Sequence, residues 1–170
     1  MSDVLSSVSL KDIPKILPLL SEQEQRQLLL ELETLQELKR KENARERFLN
    51  FVGEVWPTFI GGRHHAIMAD AFERVARGEL KRLIINMPPR HTKSEFASYL
   101  LPAWFLGKFP DKKVLMVSHT TDLAVDFGRK VRNIIDSDEY RQVFPNVHLA
   151  ADSKSAGRWN TSHGGEYFAC

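Results

Sequence analysis

Apolar positions along the chain change period in a way that separates helical from extended stretches. Ser9-Leu10-Lys11-Asp12 and Ser21-Glu22-Gln23-Glu24 both have the spacing of a helix-opening capping box, in which a hydroxyl and a carboxylate satisfy orphan backbone donors. The first predicts a short helix through Leu20, kinked or broken by Pro18. The second predicts a long helix reaching Val52, with Leu28, Leu32, Leu35 and Leu38 as a narrow apolar seam. Between Phe51 and Gly61 the composition turns aromatic, and a helix from His65 to Arg77 directs Ile67, Ala71, Phe72 and Val75 inward before Gly78 stops it. Leu83-Ile84-Ile85 is too short for a helix and reads as a buried strand. After Pro88-Pro89, helical spacing resumes at Phe96/Ala97, Leu100/Leu101 and Trp104/Phe105 and stops at Gly107. Lys113–Ser118 is the second strand, Thr121–Asp136 the next helix, and Trp159 and Tyr167-Phe168 flank Gly164-Gly165 as a hairpin.

Strand, helix, strand, helix with short links predicts an α/β fold, a parallel sheet with right-handed crossovers and flanking helices. Residues 1–50 form a helical N-terminal arm and residues 51–170 the domain proper. Within the arm, Glu22, Glu24, Glu31 and Glu33 load the front of the long helix and Lys39, Arg40, Lys41, Arg45 and Arg47 its rear, which suits the helix dipole. Such a charged helix reads either as a solvated element packing one stripe on the core or as a docking arm. The chain has 170 residues, 42% apolar and 27% charged, the composition of a soluble globular domain with no membrane span. A net charge of +2 gives no global case for nucleic-acid binding, so any DNA contact must be local. The single Cys170 leaves no internal disulfide and fits a reducing cytoplasm, and Met1-Ser2-Asp3-Val4 does not resemble an export leader.

The chemistry concentrates between the first strand and its helix. Strand, tight loop, Lys93-Ser94, helix is the layout of a phosphate-binding P-loop: backbone N–H groups and the helix N-terminus hold phosphates, the lysine reaches the β/γ oxygens, and the hydroxyl binds Mg²⁺. Met87 and Thr92 occupy the places of the two motif glycines, which normally supply left-handed backbone and close approach. Two readings therefore stand: a phosphate loop stiffened by prolines, or an ordinary strand-to-helix connection with a surface lysine. The loop after the second strand, Ser118-His119-Thr120, lies where open α/β sheets gather functional groups, and equally suits a helix N-cap by Thr120 or Thr121. His64 and His65 have no cysteine or spaced-histidine partners that would favour a zinc site.

Met87-Pro88-Pro89-Arg90-His91-Thr92-Lys93-Ser94-Glu95 closely resembles the deviant Walker A loop of the large terminase subunit of tailed bacteriophages. Arg63-His64-His65-Ala66-Ile67, Phe72-Glu73-Arg74-Val75, Pro102-Ala103-Trp104, Gly107-Lys108-Phe109-Pro110, Asp122-Leu123-Ala124, Phe144-Pro145 and Arg158-Trp159 through Gly164-Gly165 follow that family's order, over roughly residues 50 to 170. The resemblance implies an ASCE-type P-loop NTPase fold, present in part. It also implies ATP and Mg²⁺ as cofactors and work in packaging viral DNA into proheads. Pro88, Pro89, Arg90, His91, Thr92, Lys93 and Ser94 would form the phosphate loop. In it Lys93 neutralises the β/γ-phosphates, Ser94 holds Mg²⁺, and Arg90 stabilises or senses the γ-phosphate. His64 or His65 would stand where relatives recognise adenine, and Ser118, His119 and Thr120 where relatives face DNA. The implied partners are double-stranded DNA, the portal protein, the small terminase subunit and further copies in a ring. The implied location is the host cytoplasm, transiently at the prohead portal, with no membrane.

Phosphoryl transfer also needs an apolar strand ending in paired carboxylates, one for Mg²⁺ and one for the attacking water. No such run follows Lys93: Val114–Val117 ends in Ser118-His119, and Asp136 closes a helix. On this reading the chain is the front half of a terminase ATPase domain, without Walker B, coupling motif or nuclease, and its last strand leaves an open sheet edge. Two rival readings remain open at this point. One is a non-catalytic remnant whose arm docks a packaging partner; the other is a different P-loop DNA motor.

Overall fold

The computed structural model describes residues 17–152 and 155–170, so the capping box at Ser9–Asp12 lies outside the described residues. The chain divides into two compact units, Met1–Lys39 and Arg40–Cys170. In the first, a 3-10 turn at Leu17–Leu19 precedes α1 (Glu22–Glu46). The box at Ser21 forms as its spacing predicts: Ser21 N–H and Oγ–H donate to Glu24 Oε2 at 2.9 and 2.7 Å, and Glu24 N–H returns to Ser21 Oγ at 3.4 Å. Those bonds hold the Glu24 carboxyl below its usual range. Of the expected seam, Leu28 and Leu32 are half-buried, whereas Leu35 and Leu38 are exposed.

The last turns of α1, from Arg40 on, belong to the second unit. The helix does not run on to Val52: it ends at Glu46, Arg47 is extended (φ −115°, ψ 123°), and α2 (Phe48–Val55) starts afresh. A buried carboxylate accounts for the break. Glu73, 3% exposed on α3 (Arg63–Ala76), accepts the Phe48 N–H at 2.9 Å through Oε1, and its Oε2 faces Arg47 Nε at 3.3 Å. The Phe48 N–H, which would have donated to the Ala44 carbonyl in a continuous helix and is freed by the break, is thereby satisfied at a buried helix start. The new start sends Phe48 into the core, with its ring edge-to-face against Phe72, Phe96 and Trp104 at 5.4–5.7 Å. On α3 the inward residues are His65, Met68, Ala69, Phe72 and Glu73; Ile67, expected inside, is 63% exposed.

A π-helical stretch (Glu95–Leu100) and α4 (Leu101–Lys108) follow the proline loop. The wide turns lie just before Pro102, whose ring would collide with the carbonyl four residues back in a regular helix. Trp104 Nε1–H donates to the Ala44 and Arg45 carbonyls at 3.2 and 3.1 Å, and Tyr140 Oη–H to the Ala103 carbonyl at 3.0 Å. Gly107 is obligatory for packing: a Cβ there would meet the Phe144 ring at 2.4 Å.

The fold is mixed α/β and mostly helical, with a small three-stranded sheet in which the last strand lies between the other two. β1 (Lys113–Met116) runs parallel to β3 (Glu166–Ala169), and β2 (Arg158–Asn160) pairs antiparallel with β3. The hairpin is as expected, with Trp159 stacked on Tyr167 at 5.0 Å, but it makes the sheet mixed, where the connection pattern predicts a parallel one. α5 (Thr121–Ile135) lies close to this sheet at Gly128, where a Cβ would approach the Tyr167 ring to 3.0 Å and the carbonyl accepts the Trp159 Nε1–H at 3.3 Å. α6 (Asp138–Val143) closes the core. Leu83-Ile84-Ile85 forms neither helix nor strand. Ile84 is 85% exposed, and only Ile85 and Met87 of this run pack on the core. An apolar run becomes a buried strand only beside a neighbour that takes its backbone groups, and the three strands here pair among themselves. Among the described residues, no helix is long and apolar enough to cross a membrane.

Glu73→Ala is expected to destabilise the fold by about 1.5–3 kcal/mol, the usual range for losing a hydrogen bond to a charged group. Glu73→Gln, which keeps an acceptor, loses less. Urea unfolding of the two variants against the parent reads the difference, and equal losses would contradict the capping role.

Candidate functional site

The loop between α3 and the π-helical stretch turns by backbone conformations that glycine usually supplies. Arg90 and Thr92 have φ of 65° and 56°, and are the only non-glycine residues with positive φ among those described. The Thr92 carbonyl accepts the first helical bond, from Phe96 N–H at 3.0 Å. The N–H groups of Lys93, Ser94 and Glu95 thus occupy the first helical turn, where backbone donors have no intrahelical acceptor. Together with the positive end of the helix dipole, this is the local electrostatics that attracts an anion.

Around that turn the structure brings together residues from two elements. His65 Nε2 lies 2.6 Å from Thr92 Oγ1, and Thr92 Oγ1–H donates to the His91 carbonyl at 2.7 Å. His65 Nδ1 accepts the Gly62 N–H at 2.9 Å, which leaves the ring proton on Nε2 and makes His65 the donor to Thr92. The ring packs on Phe59 and Phe96 at 4.8 and 4.9 Å, against His64 at 3.8 Å, and is 5% exposed. Burial, with smaller contributions from His64 and His91, lowers its pKa from 6.5. His91 Nδ1 pairs with the Pro89 carbonyl at 2.9 Å, and its ring lies 5.8 Å from that of His64.

Lys93 is half-buried and Arg90 exposed, and neither forms an ion pair among the described residues. Pro88 and Pro89 are exposed on the approach to the turn, and Ser94 is exposed at the helix start. His64 lines an apolar hollow of about 250 Å³ with Ile67 and Met68 of α3 and the Leu83–Met87 segment. Ser118, His119 and Thr120 sit apart from this cluster in their bonding. Ser118 N–H donates to the Cys170 carbonyl at 3.2 Å, Thr120 Oγ1 caps α5 by accepting Leu123 N–H at 3.4 Å, and His119 is exposed. No group of three histidine, cysteine or acidic side chains among the described residues could hold a metal unaided. A divalent cation would have to arrive with phosphate oxygens supplying most of its ligands.

Two features escape a reading from motif spacing: the left-handed Thr92, and its bond to a histidine twenty-seven positions away. A signal was present, since His65 stands three residues after Gly62, the position from which a side chain reaches back to a helix-start N–H. The comparisons add no identity: no family model, curated protein or solved structure matches the chain.

Because the folded pKa of His65 is depressed, its contribution to stability is complete above pH 6.5 and is lost as pH falls through the lower folded value. Thermal midpoints measured from pH 7.5 downward should fall more steeply in the parent than in His65→Gln, and parallel curves would contradict the assignment.

Proposed function

We propose that the chain is part of an ATP-driven motor that packages viral DNA into proheads, a terminase large subunit with a partial P-loop NTPase fold. Its Pro88–Ser94 loop would bind the phosphates of ATP. The observation that carries this reading is the conformation of the loop. Two residues adopt the left-handed backbone that glycines provide in the standard motif, the second of them at a motif-glycine position, and they lead into a helix opened by an unpaired lysine. Lys93 would neutralise the β/γ oxygens, the first-turn N–H groups would donate to them, and Arg90 would meet the γ-phosphate. Bound Mg²⁺ would offset phosphate charge, and on this reading Ser94 would supply the hydroxyl that ligates it. The hollow beside His64 has apolar walls suited to a planar base. To the loop residues the reading assigns the binding of nucleotide phosphates. Double-stranded DNA, with Ser118, His119 and Thr120 as contacts, the portal, the small subunit and a ring of further copies are the partners this reading entails.

One observation favours a second reading, a docking module. Leu29, Leu30, Leu35 and Leu38 on α1 are each 49–59% exposed, more apolar surface than a solvated helix needs. Within the basic cluster, Arg40 and Arg47 pair with Glu54 and Glu73, and Arg45 bonds the Val143 carbonyl, which leaves them poorly placed to grip DNA.

Titration of a fluorescent ATP analogue tests the first reading. Lys93→Ala should weaken binding by about two orders of magnitude, as removal of a charge-assisted phosphate contact does, whereas deletion of residues 21–38 should not. Binding unchanged in Lys93→Ala overturns the phosphate-loop assignment.

A further inference from the structure

We infer that His65 is a positioning residue for the loop: its imidazole locks Thr92 in the left-handed conformation that a glycine would adopt unaided. The inference rests on the phosphate-loop reading and adds to it the means by which a loop without glycine keeps its shape. A β-branched residue at φ 56° is an outlier, and such a conformation persists only where its surroundings over-determine it. Thr92 is held at both ends of its hydroxyl. It accepts from His65 Nε2–H at 2.6 Å and donates to the His91 carbonyl at 2.7 Å, so its single proton and a lone pair both have fixed partners. His65 is itself held. The Gly62 N–H fixes its tautomer through Nδ1, and Phe59 and Phe96 fix its plane. Phe96 belongs to the helix that Lys93 opens and also packs on Phe48 at 5.5 Å, so the strut stands on the core. Thr92 immediately precedes Lys93, and its φ and ψ set the direction of the first N–H groups and of the lysine. His65 acts on the phosphate site through Thr92, without needing to touch the ligand.

The role predicts a pattern that a directly contacting or merely structural histidine does not. His65→Ala and Thr92→Val, the latter a shape-preserving change in a half-exposed loop, should each weaken binding of the fluorescent ATP analogue by about tenfold or more. Thr92→Gly should bind more tightly than Thr92→Val, and His65→Ala should cost little when made in the Thr92→Gly background, because glycine needs no strut. Equal losses from His65→Ala in both backgrounds would overturn the inference and point to direct contact with the nucleotide. Should His65→Ala fail to fold, the Thr92→Val and Thr92→Gly pair decides alone, and equal affinities overturn the strut. Thermal midpoints of the same four-protein cycle separate this inference from the reading on which it rests. If the parent binds no ATP, the proposed function fails, and the strut stands on coupled midpoints or falls on additive ones.

Discussion

A single buried carboxylate organises the larger unit. Glu73 takes the N–H that the chain exposes when it leaves α1 at Arg47, and this lets α2 begin with Phe48 pointing into the core. Three rings from separate segments close on Phe48: Phe72 of α3, Phe96 of the π-helical stretch and Trp104 of α4. Edge-to-face contacts of this kind fix orientation as well as distance. The start of the helix behind the proline loop is thus referenced to α3 through one aromatic hub, and His65, also on α3, reaches the loop from that same frame. The order of dependence runs from a helix break, to a ring cluster, to the backbone of Thr92.

What the sequence made legible and what it left hidden divide along the range of the interactions. Local signals were reliable: the Ser21–Glu24 box, the stop at Gly78, the N-cap at Thr120 and the turn of the final hairpin all involve residues a few positions apart. The break at Arg47 was hidden because its cause, Glu73, lies twenty-five residues downstream of Phe48 and resembles any surface glutamate on a helix. The face of α3 was misjudged at Ile67 because His65 and Glu73, polar by composition, take buried places with satisfied hydrogen bonds. Leu83–Ile85 has the composition of an inner strand, but strand formation depends on a neighbour, which no local pattern can supply. In the site, the lysine, the hydroxyl and the prolines were visible as residue types. The means of holding the loop were not, because they run between α3 and the turn.

On the phosphate-loop reading, the absence of glycine from Pro88–Ser94 would shape how the loop meets an anion. A glycine-rich loop samples many backbone states and surrenders that freedom when it closes on an anion. Here two prolines, a pinned threonine and a buried imidazole have already removed most of the alternatives during folding. If such a loop binds a phosphate as proposed, capture would carry a smaller entropic penalty, at the expense of adaptability. An anion whose shape departs from the template would find a turn that does not readjust, so on the proposed reading rigidity would become a source of selectivity at a site built largely from backbone.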